Sequence, residues 1–316
     1  MFMCSGRPTG AGAHPSTILQ TFRLPEPVKG ELELRFRPTG KEKADTAATD
    51  SAVPQMIMPK SYLAEYVQYL GNAVPKDTLN VLCVGNSFTY YWGCPAMLKE
   101  IAWNEGHYLR VKSTLKGGQT FGDHLALPVS RNVVNAGRYD YAFFQDQSQS
   151  PARYASDTTQ FDYVNTNFLK LTDRLLSRSR NCHVILESTW SFEKDDFGGF
   201  GSHAAFDSLM TIGTSMMIRN ASKIFGANDF EVSPIGRAFS IVRNENPGID
   251  LYSADSKHQS DYGSYLKACV NYLMIFRKPF QSQPADGATS SIDCGIPHDQ
   301  AAYLRQVAER VVLGAR

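Results

Sequence analysis

From residue 78 onward, short apolar runs alternate with longer stretches whose apolar residues recur at helical spacing, and no other feature restricts the chain as much. Val81-Leu-Cys-Val runs into Gly85, and comparable runs occupy 108–113, 141–144, 183–187 and 230–233. Each is too short for a helix and reads as a buried strand. Between them, Met97, Leu98, Ile101 and Ala102 share one helical face, as do Val164, Phe168, Leu171 and Leu175. Further helical stretches fall at 203–220, at the strongly apolar 262–276 and at 301–312. Strands and helices in alternation predict an α/β fold, a three-layer α/β/α sandwich around a mostly parallel five-stranded sheet. Ligands of such sheets bind beyond the carboxyl ends of the strands, so the loops that follow strands are where chemistry belongs.

Residues 1–77 read differently, as an N-terminal extension ahead of a domain at 78–316. Their first 24 residues are rich in Gly, Pro, Ser and Thr and point to a poorly ordered tail. Glu31-Leu-Glu-Leu-Arg-Phe-Arg alternates at period two, which predicts a strand. A charged loop at 41–50 and a short helix at 61–70 complete the expectation. Composition enters mainly by exclusion. A formal net charge of +1 gives no electrostatic grip on nucleic acid. No apolar run reaches the roughly 18 residues of a membrane-spanning helix, and MFMCSGRPTG carries no apolar export signal. The six cysteines are scattered, with no CxxC pair or Cys/His cluster, so no metal or other cofactor is expected.

Four segments carry candidate chemistry. Gly85-Asn86-Ser87-Phe88-Thr89 places a serine at a strand-to-helix turn, near backbone N–H groups that stabilise an anion. Taken alone, a serine there is more simply a helix cap. Lys116-Gly117-Gly118-Gln119-Thr120 follows the second strand, where a glycine N–H can serve as an oxyanion donor. Gln145-Asp146-Gln147-Ser148 follows the third and offers an amide donor, Gln145 or Gln147, with Gln145 favoured because it directly follows the apolar strand. Asp255-Ser-Lys-His258 precedes the apolar helix. A carboxylate three residues from an imidazole can fix its tautomer and stabilise the imidazolium formed when a serine gives up its proton.

In this order the four segments resemble the blocks of the SGNH/GDSL hydrolase superfamily over roughly residues 78–280, closest to a branch carrying GNSF in place of GDS. Val232-Ser-Pro-Ile-Gly-Arg-Ala-Phe239 is similar to that group as well. The resemblance implies a flavodoxin-like hydrolase domain with Ser87 as nucleophile, Asp255 and His258 as its base, and Ser87, Gly118 and Gln145 as oxyanion donors. It further implies hydrolysis of small acyl esters, acetyl first, on small-molecule or glycan substrates, and a periplasmic or extracellular home. A lipid esterase or thioesterase, or a non-catalytic carbohydrate-binding protein on the same fold, are the alternatives. Two blocks depart from the family: the third lacks its Gly-x-Asn-Asp, and Asn86 stands where Asp is common. A triad with Asp and His three residues apart is foreign to the G-x-S-x-G hydrolases. His124 reads as structural or as a substrate contact, Trp190 and Phe192 as core or pocket rim, and Glu187 as a partner of surface or loop groups.

Overall fold

The strand β1 (Leu79–Gly85) supplies side chains to both faces of the sheet at once. Val81 and Cys83 point into one apolar cluster, Leu82 and Val84 into the other. That period-two split marks a strand covered on both sides. β1 pairs in parallel with β2 (Leu109–Leu115) and with β3 (Tyr141–Phe144). β3 continues to β4 (His183–Glu187), and β4 to β5 (Phe230–Ser233), all parallel. The strand order is therefore β2-β1-β3-β4-β5, a five-stranded parallel sheet. Such an order reverses direction between β1 and β3, and the crevice beyond their carboxyl ends is where ligands of this topology bind.

The computed structural model describes residues 77–194, 198–226, 230–281 and 291–314, with four short strands before them. The chain divides into two compact units, Met1–Lys76 and Asp77–Arg316. In the first, Phe2–Cys4 pairs antiparallel with Ile18–Gln20, and Glu33–Leu34 with Met56–Ile57. Of these, Glu33–Leu34 falls inside the strand expected at 31–37. The expected loop at 41–50 and helix at 61–70 lie outside the described residues.

Among its described residues the second unit has ten α-helices: α1 (Ser87–Tyr90), α2 (Cys94–Asn104), α3 (Phe121–Ala126), α4 (Pro128–Asn135), α5 (Ser150–Ser156), α6 (Asp162–Leu176), α7 (His203–Phe225), α8 (Ile235–Glu245), α9 (Asp261–Phe276) and α10 (His298–Leu313). One cluster joins Val81, Cys83, Phe143 and Ile185 of the sheet to α2, α8, α9 and α10. The other joins Leu82, Val84, Ala142, Phe144, Val184 and Leu186 to α6 and α7. The long apolar helix expected at 262–276 is α9, buried on nearly every side between Gly263 and Ile275. Its neighbours are α2, α8 and α10. The short helices α3, α4 and α5 were not marked by periodicity, because one or two turns hold too few apolar positions to show it. α3 is instead set by its cap, a reciprocal pairing of Thr120 with Asp123 immediately after the glycine loop.

Candidate active site

The first helix begins where β1 ends, and its cap is not the serine. The Asn86 side chain accepts from the Phe88 N–H at 3.1 Å, so Asn86 is the N-cap and Ser87 stands one place inside. That leaves the Ser87 hydroxyl unused by the backbone. Gly85 is required beneath it, since a Cβ there would meet Thr89 Oγ1 at 2.7 Å and Gln145 Oε1 at 2.8 Å. The Asn86 Nδ2 group donates to the carbonyls of Gln119 (2.9 Å) and Asp146 (3.2 Å). An aspartate could not make either bond, which is the physical content of asparagine at this position. One side chain thereby ties together the loops that follow β1, β2 and β3.

Ser87 and His258 are 171 residues apart, and the fold brings the Ser87 Oγ to 2.7 Å from His258 Nε2. His258 Nδ1 bonds the Asp255 Oδ2. Asp255 Oδ1 accepts the N–H groups of Lys257 (3.1 Å) and His258 (2.9 Å). This fold-back uses a left-handed Ser256, at φ 61°. Burial works against ionisation of Asp255, but hydrogen bonds from the His258 ring and from these two amides outweigh it and hold the carboxyl below the ordinary carboxylate range. An ionised Asp255 only accepts, so the ring proton sits on Nδ1 and the Nε2 lone pair faces the serine. Two rings pack against the imidazole: Tyr91 stacks on it at 4.3 Å and 11°, and Phe88 approaches at 5.0 Å and 49°. Behind the turn, Trp190 is fully buried, stacks on Phe239 at 4.2 Å and donates from Nε1 to the Lys257 carbonyl at 3.0 Å. Trp190 therefore supports the Asp255–His258 turn from inside the core.

Gly118 sits at φ 72°, in the turn closed by the Gln119 N–H to the Lys116 carbonyl. Only a residue without a Cβ adopts that backbone freely. Among the described residues, neither the Ser87 N–H nor the Gly118 N–H meets a protein acceptor. Gln145 has a different placement from the expected donor. It is wholly buried below the turn; its Oε1 accepts from the Asn86 N–H (3.1 Å) and the Thr89 hydroxyl (3.0 Å), and its Nε2 donates to the Asp146 carbonyl. The oxygen end of the amide holds the nucleophile turn, and one of the two Nε2 hydrogens goes to the Asp146 carbonyl. Gln147 is also tied within its own loop, accepting from the Gln149 N–H at 2.9 Å.

His124 belongs to the same floor. Its Nε2 lies 3.0 Å from the Gly85 carbonyl, which can only accept, so Nε2 carries the proton and Nδ1 accepts from Ser130. Desolvation lowers its pKa and keeps the ring neutral. Asp146, buried with its carboxyl pushed up to about 7 by desolvation, accepts from the Phe121 and Gln147 N–H groups. Glu187 is a correction to the expectation of a surface or loop partner: it is buried and paired with Lys267 at 2.7 Å. A surface groove of about 720 Å³ bordered by Gly122, Lys170, Arg174 and Arg178 contains none of these site residues. Among the described residues, no group of three or more His, Cys, Asp or Glu side chains is gathered to hold a metal, and no helix is long and apolar enough to cross a membrane.

The fold is similar to that of a DUF4886 family protein from Bacteroides uniformis ATCC 8492. That match has a TM-score of 0.55 at 16% identity and covers 75% of this chain and 95% of the other. Weaker likenesses are an acetylxylan esterase from Geobacillus stearothermophilus (TM-score 0.47, 14% identity, 65% of this chain and 97% of that one) and a candidate SGNH hydrolase from Slackia heliotrinireducens (TM-score 0.46, 22% identity, 62% and 97%). No family model matches the chain, and no curated protein matches it. At these identities the likeness speaks for the fold alone.

Sequence reasoning singled out Ser87, Asp255 and His258, and these meet in space. It missed the stapling by Asn86, the Tyr91 stack and the burial of Glu187 with Lys267. The last had a visible signal: Lys267 and Asn271 interrupt the apolar 262–276 helix four residues apart, and a buried charge requires a partner.

Proposed function

We propose that this chain is a serine ester hydrolase acting through Ser87, His258 and Asp255. The observation that carries the reading is the unbroken hydrogen-bonded line from Ser87 Oγ through both ring nitrogens of His258 to Asp255. Serine is a weak nucleophile at its own pKa and needs a base in this position. His258 Nε2 takes the Ser87 proton as Oγ attacks the ester carbonyl, and Asp255 stabilises the imidazolium that results. The Ser87 and Gly118 N–H groups, both without protein acceptors among the described residues, receive the negative charge on the carbonyl oxygen. Gln145 serves from below by fixing the Asn86–Thr89 turn. His258 then returns the proton to the leaving alcohol, and water enters by the same base to release the acid.

The acyl group in this reading is small, acetyl first, with carbohydrate esters as the natural class. Its support is the likeness of the four sequence blocks to those of the SGNH/GDSL esterases. The test is hydrolysis of p-nitrophenyl acetate, butyrate and octanoate by the wild type and by Ser87→Ala. We expect a loss of about 10³-fold or more in the variant, with wild-type rates falling as the acyl chain lengthens. Ser87-dependent rates that rise with chain length would transfer the reading to a lipid esterase. Equal rates in the two proteins, or none in either, would overturn it.

A further inference from the structure

We infer that Lys267, together with Ser264 and Gln259, is a positioning set that clamps the nucleophile helix to the segment that carries the base and runs on into α9, and so sets the Ser87–His258 distance. The inference rests on the esterase reading. α1 has only four residues, and a single turn has no stability of its own. Its carbonyls must find partners, and the segment around α9 supplies them. Gln259 Nε2 donates to the Ser87 carbonyl at 3.3 Å, Lys267 Nζ to the Phe88 carbonyl at 2.9 Å, and Ser264 Oγ to the Tyr91 carbonyl at 2.9 Å. Ser264, Lys267 and Asn271 recur at spacings of three and four, so they form one face of α9. The same helix is capped by Ser260, two residues after His258. The base therefore stands just ahead of α9, and the same helix holds the nucleophile turn two turns further on.

Lys267 is 1% exposed, and its three N–H donors are all engaged: the Phe88 carbonyl, Thr89 Oγ1 at 3.0 Å and Glu187 Oε2 at 2.7 Å. Asn271 holds the other Glu187 oxygen at 2.6 Å, and Ser233 at the end of β5 bonds Asn271 at 2.9 Å. From Thr89 the line continues to Gln145 Oε1 and on to the Asn86 N–H. The ends of β4 and β5 are thus tied to the turn through α9, and the end of β3 directly through Gln145. A buried ion pair adds little net stability over an apolar pair of the same shape, so folding alone does not account for it. Holding a reacting oxygen in place does, since a shift of about 1 Å costs on the order of 100-fold in rate.

The experiment compares Lys267→Met/Glu187→Gln and Ser264→Ala with the wild type and Ser87→Ala. It measures kcat and KM on p-nitrophenyl acetate, the thermal midpoint, and the rate of Ser87 labelling by a fluorophosphonate. The double variant removes both charges at similar volume and leaves no lone buried ion. We expect it to fold, with kcat and labelling reduced about 10- to 100-fold and KM within about threefold of wild type. Ser264→Ala, which loses one hydroxyl, should show the same pattern at about 3- to 10-fold. Wild-type kcat in folded variants, or a rise in KM with kcat unchanged, overturns the positioning role. If the double variant does not fold, Ser264→Ala decides by the same criteria. A wild type with no Ser87-dependent labelling overturns the esterase reading itself, an outcome separate from any change among the variants.

Discussion

The two turns that carry the candidate catalytic groups are built in opposite ways. The Asp255–His258 turn is mostly self-made: Asp255 bonds the ring and two amides within its own four residues, and the Ser253 N–H reaches the His258 carbonyl at 2.8 Å. Its carboxylate side chain is 38% exposed. The Asn86–Thr89 turn is almost entirely held by others, through Gln145, Gln119, Asp146, Gln259 and Lys267, and it is buried. A local turn keeps its shape if one chemical group changes. A turn assembled by five residues from three distant segments does not, and each of its partners becomes part of the geometry.

The comparison can be broken most severely at Asp255. Asp255→Asn keeps an oxygen for the Lys257 and His258 amides, so the turn should persist. The new amide N–H faces His258 Nδ1, however, which forces the ring proton onto Nε2, the atom that must accept from Ser87. We expect kcat to fall about 10³- to 10⁴-fold, with the thermal midpoint within about 3 °C of wild type. A large loss of stability would show that this turn is not self-sufficient.

Asn86→Asp addresses the other turn. It keeps the cap on Phe88 but sets a carboxylate against the Gln119 and Asp146 carbonyls that now accept from Nδ2. Both properties should suffer: about 1–3 kcal/mol in urea unfolding and about 10- to 100-fold in kcat. Activity retained at wild-type level would mean the turn is less dependent on its neighbours than the hydrogen bonds indicate.

The smallest effect on activity is expected at Asp146, which sharpens the contrast by pH. Its carboxyl titrates near 7 in the fold and 3.8 is its ordinary value, because burial disfavours the charge. Its contribution to stability is complete below about pH 4 and is lost as pH rises through 7. Asp146→Asn keeps the acceptor for Phe121 and Gln147 and has no proton to lose. Unfolding free energy measured from pH 5 to 8.5 should decline in the wild type and flatten in the variant, with kcat within about twofold. Parallel profiles would assign the decline to another group.

The sheet was legible because its strands are short apolar runs with no other reading, and α6, α7, α9 and α10 because their apolar positions repeat often enough to show a period. α8 is not marked as a helix by the motif at 232–239, although Ala238, Phe239 and Val242 are buried along it at helical spacing. Eleven residues next to a strand show too few apolar repeats to stand out. In the site, Asp255 and His258 were legible as a pair since their bond spans three residues, and Ser87 by its place after the first strand. Gln145 shows the limit of that reasoning. Its position after β3 was correctly located at the sheet edge, but the direction of an amide depends on what surrounds it.

By itself, then, the sequence determined which segments are strands, where the loops with polar groups fall, and that a carboxylate and an imidazole share one turn. These are local matters of spacing, propensity and short-range hydrogen bonding. The tertiary structure alone decided that Ser87 Oγ meets His258 Nε2, that Asn86 rather than Ser87 caps α1, and that Gln145 faces inward. It also decided that Lys267 is buried against Glu187 beneath the nucleophile. Each of these joins residues far apart in the chain, and which polar atom finds which partner is settled only once packing has excluded water and left every buried donor and acceptor to be matched within the protein.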